Sequence, residues 1–431
     1  MILSLDLGST SFKAAVIDEN LQVHGFCARE LRHQFAPGGK VELPVAEATS
    51  AARKAIHEAI SLAGVRASNF QALAVTSQAQ TFTIVDQERG PRIPFISWQD
   101  KRAVRTAEKL KKTMPDFSSQ CSFGSFSPLL QLCQLRHLKE NQPRVMGAKT
   151  LMMPLPTFFI YQWSGTFVTD ENIAAMTGLY SLVSRTWWPR ALKSCGLQAG
   201  QLPEVLPVGA VAGRTNSGGL EIGLPRGIPV VLAGNDQTAG AYAARLEESH
   251  GLLLTLGTAQ AAYTYQERMP RSNPSLIRGP YPRHGHYQMA ADDCGGNLIN
   301  WAKSILAGCE TDEKFFSLAA HSPPGCRGLL FEGNNSDVPS ASWTNIETCH
   351  TPADFARSVL ECLTRRMLVI ARRLSANLES TPVLLAGSGS QNPLWVEILA
   401  KTLGVRVKKT DGRPCVGAAR MALWTIQNNR Q

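Results

Sequence analysis

Residues 2–15 read Ile2-Leu3-Ser4-Leu5-Asp6-Leu7-Gly8-Ser9-Thr10-Ser11-Phe12-Lys13-Ala14-Ala15, an apolar alternation that breaks into a run of small hydroxyl residues. Leu3 and Leu5 alternate with small or polar neighbours, as in a buried strand, and Gly8 then allows the backbone to turn tightly. At that turn Ser9, Thr10 and Ser11 offer hydroxyl and amide donors to an anion. Asp6 beside a polyphosphate would be repelled. Its natural task there is to hold a hydrated Mg2+, which keeps most of its waters and takes few protein ligands. The alternative is a plain strand and turn with no ligand.

The pattern returns 249 residues on. Gly251-Leu252-Leu253-Leu254-Thr255-Leu256-Gly257-Thr258-Ala259 repeats the opening, with Thr255 where Asp6 stands and Gly257 where Gly8 stands. Two copies so far apart suggest two homologous domains facing a shared ligand rather than a short-period solenoid. The boundary falls near Glu247 to His250, giving domains 1–247 and 248–431. Because one copy keeps the carboxylate, one turn is expected to handle the metal and the other to wrap the phosphates. Two further strands feed small-residue loops. Ile228 to Ala233 runs into Gly234-Asn235-Asp236-Gln237-Thr238, and Pro382 to Leu385 runs into Ala386-Gly387-Ser388-Gly389-Ser390-Gln391-Asn392-Pro393 before a helix from Leu394 to Leu403. The second loop can lay backbone against a flat ring, or be an ordinary strand-to-helix turn. Helical periodicity is expected over 45–62, 102–112, 128–139, 154–163 and 352–378.

A chain of 431 residues exceeds what one core supports, and 44% hydrophobic with 18% charged residues suits a packed soluble protein. The longest apolar runs, such as Gly251 to Leu256, fall far short of the roughly 20 residues of a membrane helix. No charged segment precedes the first strand, so no signal peptide is expected. Ten cysteines without a CxxC pair read as free thiols in a reducing cytoplasm. His284 and His286 form an HxH pair without an evident third metal ligand. The net charge of +10 favours anionic ligands. Nucleic acid is not expected, because the cations come in small groups, as at Lys109, Lys111 and Lys112 or at Lys408 and Lys409, with no interleaved aromatics. Solvated helix faces account for such groups.

The order of these motifs resembles the FGGY family of carbohydrate kinases, within the actin, Hsp70 and hexokinase superfold, over essentially the whole chain. Asp6 to Lys13 is similar to the family's first phosphate motif, Gly257-Thr258 to its second, and Ala386 to Pro393 to its adenosine motif. Val41-Glu42 resembles the family's VE segment and Trp98-Gln99-Asp100-Lys101-Arg102 its WxDxR motif. Gly165, Phe167, Asp170 and Ala174 resemble its G-x-F/W-x-x-D-x-x-x-A stretch. The resemblance implies an α/β fold of two duplicated ribonuclease-H-like domains with a cleft between them, closing around ATP, Mg2+ and a small sugar.

On that resemblance Asp236 stands where the family carries its catalytic base, a role the chemistry requires because a sugar hydroxyl must lose its proton as the γ-phosphoryl arrives. The alternative for Asp236 is an N-cap of the helix that follows. Gly8, Ser9, Thr10, Ser11, Lys13, Gly257, Thr258, Gly387, Ser388 and Asn392 would meet the nucleotide, and Asp6 the Mg2+, through water. Gln78, Gln80, Trp98, Asp100, Arg102 and Gln237 would meet the sugar, unless Trp98 is core and Arg102 pairs with Asp100 to shape its loop. Gln78 and Gln80 match neither the Met-His pattern of xylulose kinases nor the Arg-Glu pattern of glycerol kinases. The expected activity is ATP-dependent phosphorylation of a primary hydroxyl of a small ketose or polyol. Partners are limited to sugar and ATP, with no membrane or nucleic acid and with a homodimer allowed. Two departures from the family, Ala259 after Thr258 and Phe331-Glu332-Gly333-Asn334-Asn335 in place of its G-E-R-x-P segment, leave an alternative. That alternative is a catalytically impaired nucleotide- and sugar-binding regulatory protein. An actin-like polymer fits least, since no self-complementary surface is legible.

Overall fold

Strands β1 (Ile2–Leu7) and β2 (Ser11–Ile17) form the expected hairpin, in a computed structural model that describes residues 1–334 and 340–428. Asn335 lies outside the described residues. Every residue of β1 is buried, as in a strand with both faces covered. With β3 (Val23–Glu30), β4 (Ala72–Ser77), β5 (Val211–Arg214) and β6 (Pro229–Asn235) the hairpin makes a six-stranded sheet in the order β5-β6-β4-β1-β2-β3. β4 runs parallel to both β1 and β6, with Leu7 opposite Ser77 and Ser77 opposite Asn235. The carboxyl ends of three strands therefore lie level, the edge at which open α/β sheets bind ligands. Leu3, Leu5, Leu7 and Phe12 share a core with Phe158, Phe159 and Trp163, and the Phe12 and Phe159 rings meet edge to face at 5.9 Å. Full burial of one such side chain contributes about 1.5–3 kcal/mol. Helix α1 (Val45–Ala63) closes the same core through Ala48, Ala52, Ala55, Ile56 and Ala59, spaced to form one apolar stripe.

A second layer of the N-terminal half joins α2 (Val104–Thr113), α3 (Gln131–Asn141) and α4 (Pro189–Cys195) through Leu110, Met114, Leu132, Leu135, Leu138 and Leu192. α2 begins two residues later than the periodicity suggests, because Arg102 is spent on an ion pair. After β6 comes α5 (Asp236–Ala243).

The second sheet repeats the first. β7 (Leu252–Leu256), β8 (Gln260–Gln266), β9 (His286–Asp292), β10 (Val383–Ala386) and β11 (Val407–Lys409) stand in the order β9-β8-β7-β10-β11, matching β3-β2-β1-β4-β6. The senses match too: β7 is antiparallel to β8 and parallel to β10, and β10 is parallel to β11. Thr255 lies opposite Ala386 as Asp6 lies opposite Thr76. The turn is one residue shorter, with Leu256 facing Gln260 where Leu7 faces Phe12 five positions on. Helix α6 (Gly296–Ile305) carries Trp301, and α7 (Pro393–Leu403) follows the glycine-rich loop. The long helix expected to reach Leu378 stops at Leu374. There the Asn377 side chain accepts the N–H groups of Glu379 and Ser380, a local turn that competes with helix.

The compact units are not two contiguous halves. One comprises Met1–Ala243, Gln266–Tyr287 and the chain from Arg413 on; the other comprises Ala244–Tyr265 and Gln288–Gly412. Their first break, at Ala243–Ala244, lies close to the boundary expected at residue 247, and the return of residues 266–287 and of the chain from 413 to the first unit adds an interleaving. Its cause is the last helix, α8 (Pro414–Asn428), which packs on α5, β1 and β4. The Ser4 hydroxyl donates to the Cys415 carbonyl at 2.7 Å. All ten cysteines are free, nine of them buried. Among the described residues no helix is long and apolar enough to cross a membrane, and no cluster of His, Cys, Asp and Glu could hold a metal ion.

α8 meets α5 so closely that a Cβ on Gly417 would lie 1.8 Å from the Ala239 carbonyl oxygen. Gly417→Ala is therefore expected to lower stability by about 1–3 kcal/mol, the usual cost of overpacking, seen as a lower urea midpoint at unchanged slope.

Candidate active site

Asp6 and Lys13 are direct cross-strand partners, and the Lys13 ammonium lies 3.2 Å from Asp6 Oδ2. Burial raises the pKa of the Asp6 carboxyl, against the pull of Lys13. The Asp6 charge in turn raises the pKa of Lys13, so the ammonium stays protonated. Asp6 Oδ1 is buried with no hydrogen-bond partner among the described residues. Gly8 opens the turn, and its carbonyl accepts the Gln78 amide at 3.2 Å.

Asp236 lies one position past the end of β6, two strands over from Asp6, which separates the backbones by roughly 10 Å. The capping role falls to its neighbour. Asn235 Oδ1 accepts the Thr238 N–H at 2.9 Å, while Asp236 Oδ1 accepts the Gln237 N–H at 2.8 Å. Burial pushes the Asp236 carboxyl up to about 7, and the Asp6 charge pushes the same way against Gln237 and Lys13. A carboxyl poised near neutrality suits general base work. Gln237 sits beside it, half-buried, in the first turn of α5.

The loop that carries Asp236 is clamped from several sides. Asp170 Oδ2 accepts the Gly234 N–H at 3.2 Å and Asn172 Oδ1 accepts the Asn235 N–H at 2.9 Å. Asn172 Nδ2 donates to the Thr238 hydroxyl at 3.0 Å, and the Thr76 hydroxyl donates to the Gly234 carbonyl at 2.9 Å. Asp170 also caps the helix at 171–175 through the Ile173 N–H at 2.8 Å. Burial lifts its carboxyl to about 6 despite these donors. Sequence reading gave Asn172 and Asn235 no role. Asn235 carried a signal, an Asn at a strand-to-helix junction; Asn172 had none, because its partners lie 63 and 66 residues away.

The residues expected at the sugar divide into two sets. Gln78 is buried, with its Oε1 unpartnered among the described residues. Gln80 occupies the turn after β4 with φ at +61°, a strained conformation for a non-glycine residue. Trp98 is half-buried, and its backbone N–H donates to the Thr81 hydroxyl at 3.1 Å. Asp100 and Arg102 make the loop-shaping pair that stood as their alternative. Asp100 is fully buried, accepts the Val41 N–H at 2.7 Å and is gripped by Arg102 at 2.6 and 2.8 Å. Arg102 also reaches Glu42 at 2.5 Å. Their polar groups are turned inward, tying the Val41-Glu42 segment to the Trp98 loop.

The second unit holds a recess of about 330 Å³ that brings together Gly257, Thr258, Ser388 and Asn392. Phe316 and Trp395 supply apolar walls that the sequence reading did not foresee. Asn392 caps α7, accepting the Trp395 N–H at 3.2 Å. Gly387 does not line the recess. Its φ is +91°, and a Cβ there would come within 2.3 Å of the Leu256 carbonyl oxygen, so it serves the close approach of two strand ends. The carbonyls of Gly257 and Thr258 accept the N–H groups of Gly296 and Asn297 at 2.8 and 3.1 Å. Phe331 is buried against Trp301 and Trp343, so the segment that departs from the family begins as a packed strand.

The duplicated sheets define a sugar-kinase fold of the actin and hexokinase type. A solved xylulose kinase from Lactobacillus acidophilus is similar to the chain with a TM-score of 0.89 at 19% identity, covering 100% of this chain and 90% of that one. The chain belongs to the FGGY family of carbohydrate kinases, whose N-terminal domain matches residues 1–243 and C-terminal domain residues 252–426. It is thus a phosphotransferase that uses ATP. It is 25% identical to L-fuculokinase of Escherichia coli (strain K12) over 354 residues, 80% of this chain and 74% of that protein. It is also 25% identical to the glycerol kinase of Deinococcus radiodurans over 445 residues, 98% of this chain and 88% of that protein.

Asp170→Ala leaves the Gly234 and Ile173 N–H groups buried without acceptors. The expected result is a loss of about 1–3 kcal/mol in stability, with faster hydrogen exchange at those two amides than at the remainder of the sheet.

Proposed function

We propose that the chain transfers the γ-phosphoryl group of ATP to a primary hydroxyl of a small ketose or related polyol, with Asp236 as general base. The observation that carries this is the Asp236 carboxyl, held near pKa 7 past the end of a parallel strand and under the field of Asp6. As the new bond between hydroxyl oxygen and phosphorus forms, the O–H bond breaks and its proton passes to the Asp236 carboxylate. The bond from phosphorus to the bridging oxygen breaks, and ADP leaves with that electron pair. Lys13 and the Ser9-Thr10-Ser11 turn would offset phosphate charge, and the recess bearing Thr258, Ser388 and Asn392 would take the adenosine.

Asp6 suits a hydrated Mg2+, since its buried, unpartnered Oδ1 is the kind of hard oxygen such a cation takes. When bound, the ion would offset charge on the phosphates. For the sugar, Gln78 Oε1 offers an acceptor, while Gln80, Trp98 and Gln237 complete the polar and apolar contacts. A ketose is favoured because xylulose and fuculose kinases stand among the relatives. One observation favours the second reading, a catalytically impaired regulatory protein. The first amides of α6 are taken by the second turn's own carbonyls and so are spent before a phosphate arrives, and Ala259 adds no hydroxyl to the turn.

ADP release measured against tetruloses, pentuloses, heptuloses and glycerol is expected to depend on one of them; release that no sugar accelerates would favour the regulator. Asp236→Asn is expected to lower kcat by about 10²–10⁴-fold with nucleotide affinity retained. Phosphorylation at the wild-type rate would refute the base assignment.

A further inference from the structure

In the first unit, α2, α3 and α4 surround a recess of about 610 Å³, larger than the one beside Thr258. Lys109, Lys112, Arg136, Arg190 and Lys193 line it, and Glu140 is the one carboxylate among its lining residues. None of these residues belongs to the Asp6 and Asp236 site. The sequence reading assigned Lys109 and Lys112 to a solvated helix face; the fold instead gathers them with cations that lie up to 84 residues away in the chain.

Cations at helix C-termini are ordinary, and that explains part of the cluster. Arg136 donates to the Ser194 carbonyl at 2.8 Å and pairs with Glu140 at 2.8 Å. Arg190 donates to the Thr113 carbonyl at 2.6 Å and pairs with Asp116 at 2.8 Å. These contacts fix the two guanidinium groups as walls. Lys112 and Lys193 are different. Both are exposed at the recess, and neither has a carboxylate partner among the described residues. Leu110 and Met114, both buried in the core that joins the three helices, also line the recess as its apolar part.

We propose that this recess binds a phosphorylated small molecule, with the phosphomonoester between Lys112 and Lys193 and the carbon skeleton over Leu110 and Met114. The cations outnumber the acids, so a dianion is favoured over a neutral sugar. The volume admits a sugar phosphate or a mononucleotide but not a polymer. Two ammonium groups on separate helices match a phosphate, which accepts from several directions at once.

Calorimetric titration of the full chain with glucose 6-phosphate, AMP, inorganic phosphate and glucose tests this. The phosphomonoesters are expected to bind with a Kd of about 1 mM or tighter, and glucose not at all. Added salt should weaken the binding. Lys112→Ala with Lys193→Ala should weaken it at least about tenfold, while Lys408→Ala with Lys409→Ala leaves it unchanged. An unchanged melting temperature in both double variants excludes misfolding as the cause. Because AMP can also enter the adenosine recess, whichever of glucose 6-phosphate and AMP loses more affinity in the Lys112 and Lys193 variant identifies the source of the phosphate group. Undiminished binding in the Lys112 and Lys193 variant, or no binding at about 10 mM probe, would overturn the proposal. Inorganic phosphate binding as tightly as both esters would overturn the role given to Leu110 and Met114.

Discussion

Two carboxylates and one ammonium, gathered at one sheet, form the constraint on which the first unit depends. Asp6 and Lys13 face each other across a hairpin, and Asp236 stands past the strand two places away. Burial alone would raise both carboxyls, because ionising either means placing charge where water cannot reach it. Lys13 relieves Asp6 directly at 3.2 Å but acts on Asp236 only as a weaker correction. The pair is asymmetric in its partners, since Asp6 has an ammonium in contact and Asp236 has none among the described residues, while burial raises both carboxyls.

The surrounding fold serves that asymmetry. Parallel β1, β4 and β6 bring their carboxyl ends level, and Asp170, Asn172 and Thr76 clamp the Gly234 to Thr238 loop so that Asp236 has a defined position. α8 then packs on α5, the helix that Asp236 begins, so the end of the chain supports a residue almost two hundred positions earlier. The second unit repeats the sheet and not the charges. Thr255 takes the place of Asp6, Ala261 that of Lys13, and the turn is one residue shorter. Its recess is lined instead by Thr258, Ser388 and Asn392 with the rings of Phe316 and Trp395.

Local patterns were legible in the sequence, and long-range partners were not. The β1–β2 hairpin, α1 and the strand before Asp236 follow from apolar periodicity, and the repeat at Thr255 foretold the second sheet. Asp236, Lys13 and Thr258 could be named because each sits in a short motif. For Asp100 and Arg102, a WxDxR motif does not say which way the charges point. Only the fold reveals Val41 and Glu42 as their partners. The close approach at Gly387 was hidden for a similar reason, since its neighbour is the Leu256 carbonyl, 131 residues back. The interleaved units were hidden too, because nothing in the composition of the last helix marks it as belonging with the first strand. The grouping of Lys112 with Lys193 is likewise a product of helix packing rather than of chain proximity.

The most direct measurement is the ionisation of Asp236 itself, followed through its carboxyl carbon by NMR in the full-length chain. In the native protein the midpoint should lie near 7. Asp6→Asn removes the neighbouring negative charge, which makes the ionised form of Asp236 easier to reach, so the midpoint should fall. A midpoint that does not move on loss of Asp6 would contradict the coupling on which this account of the site rests.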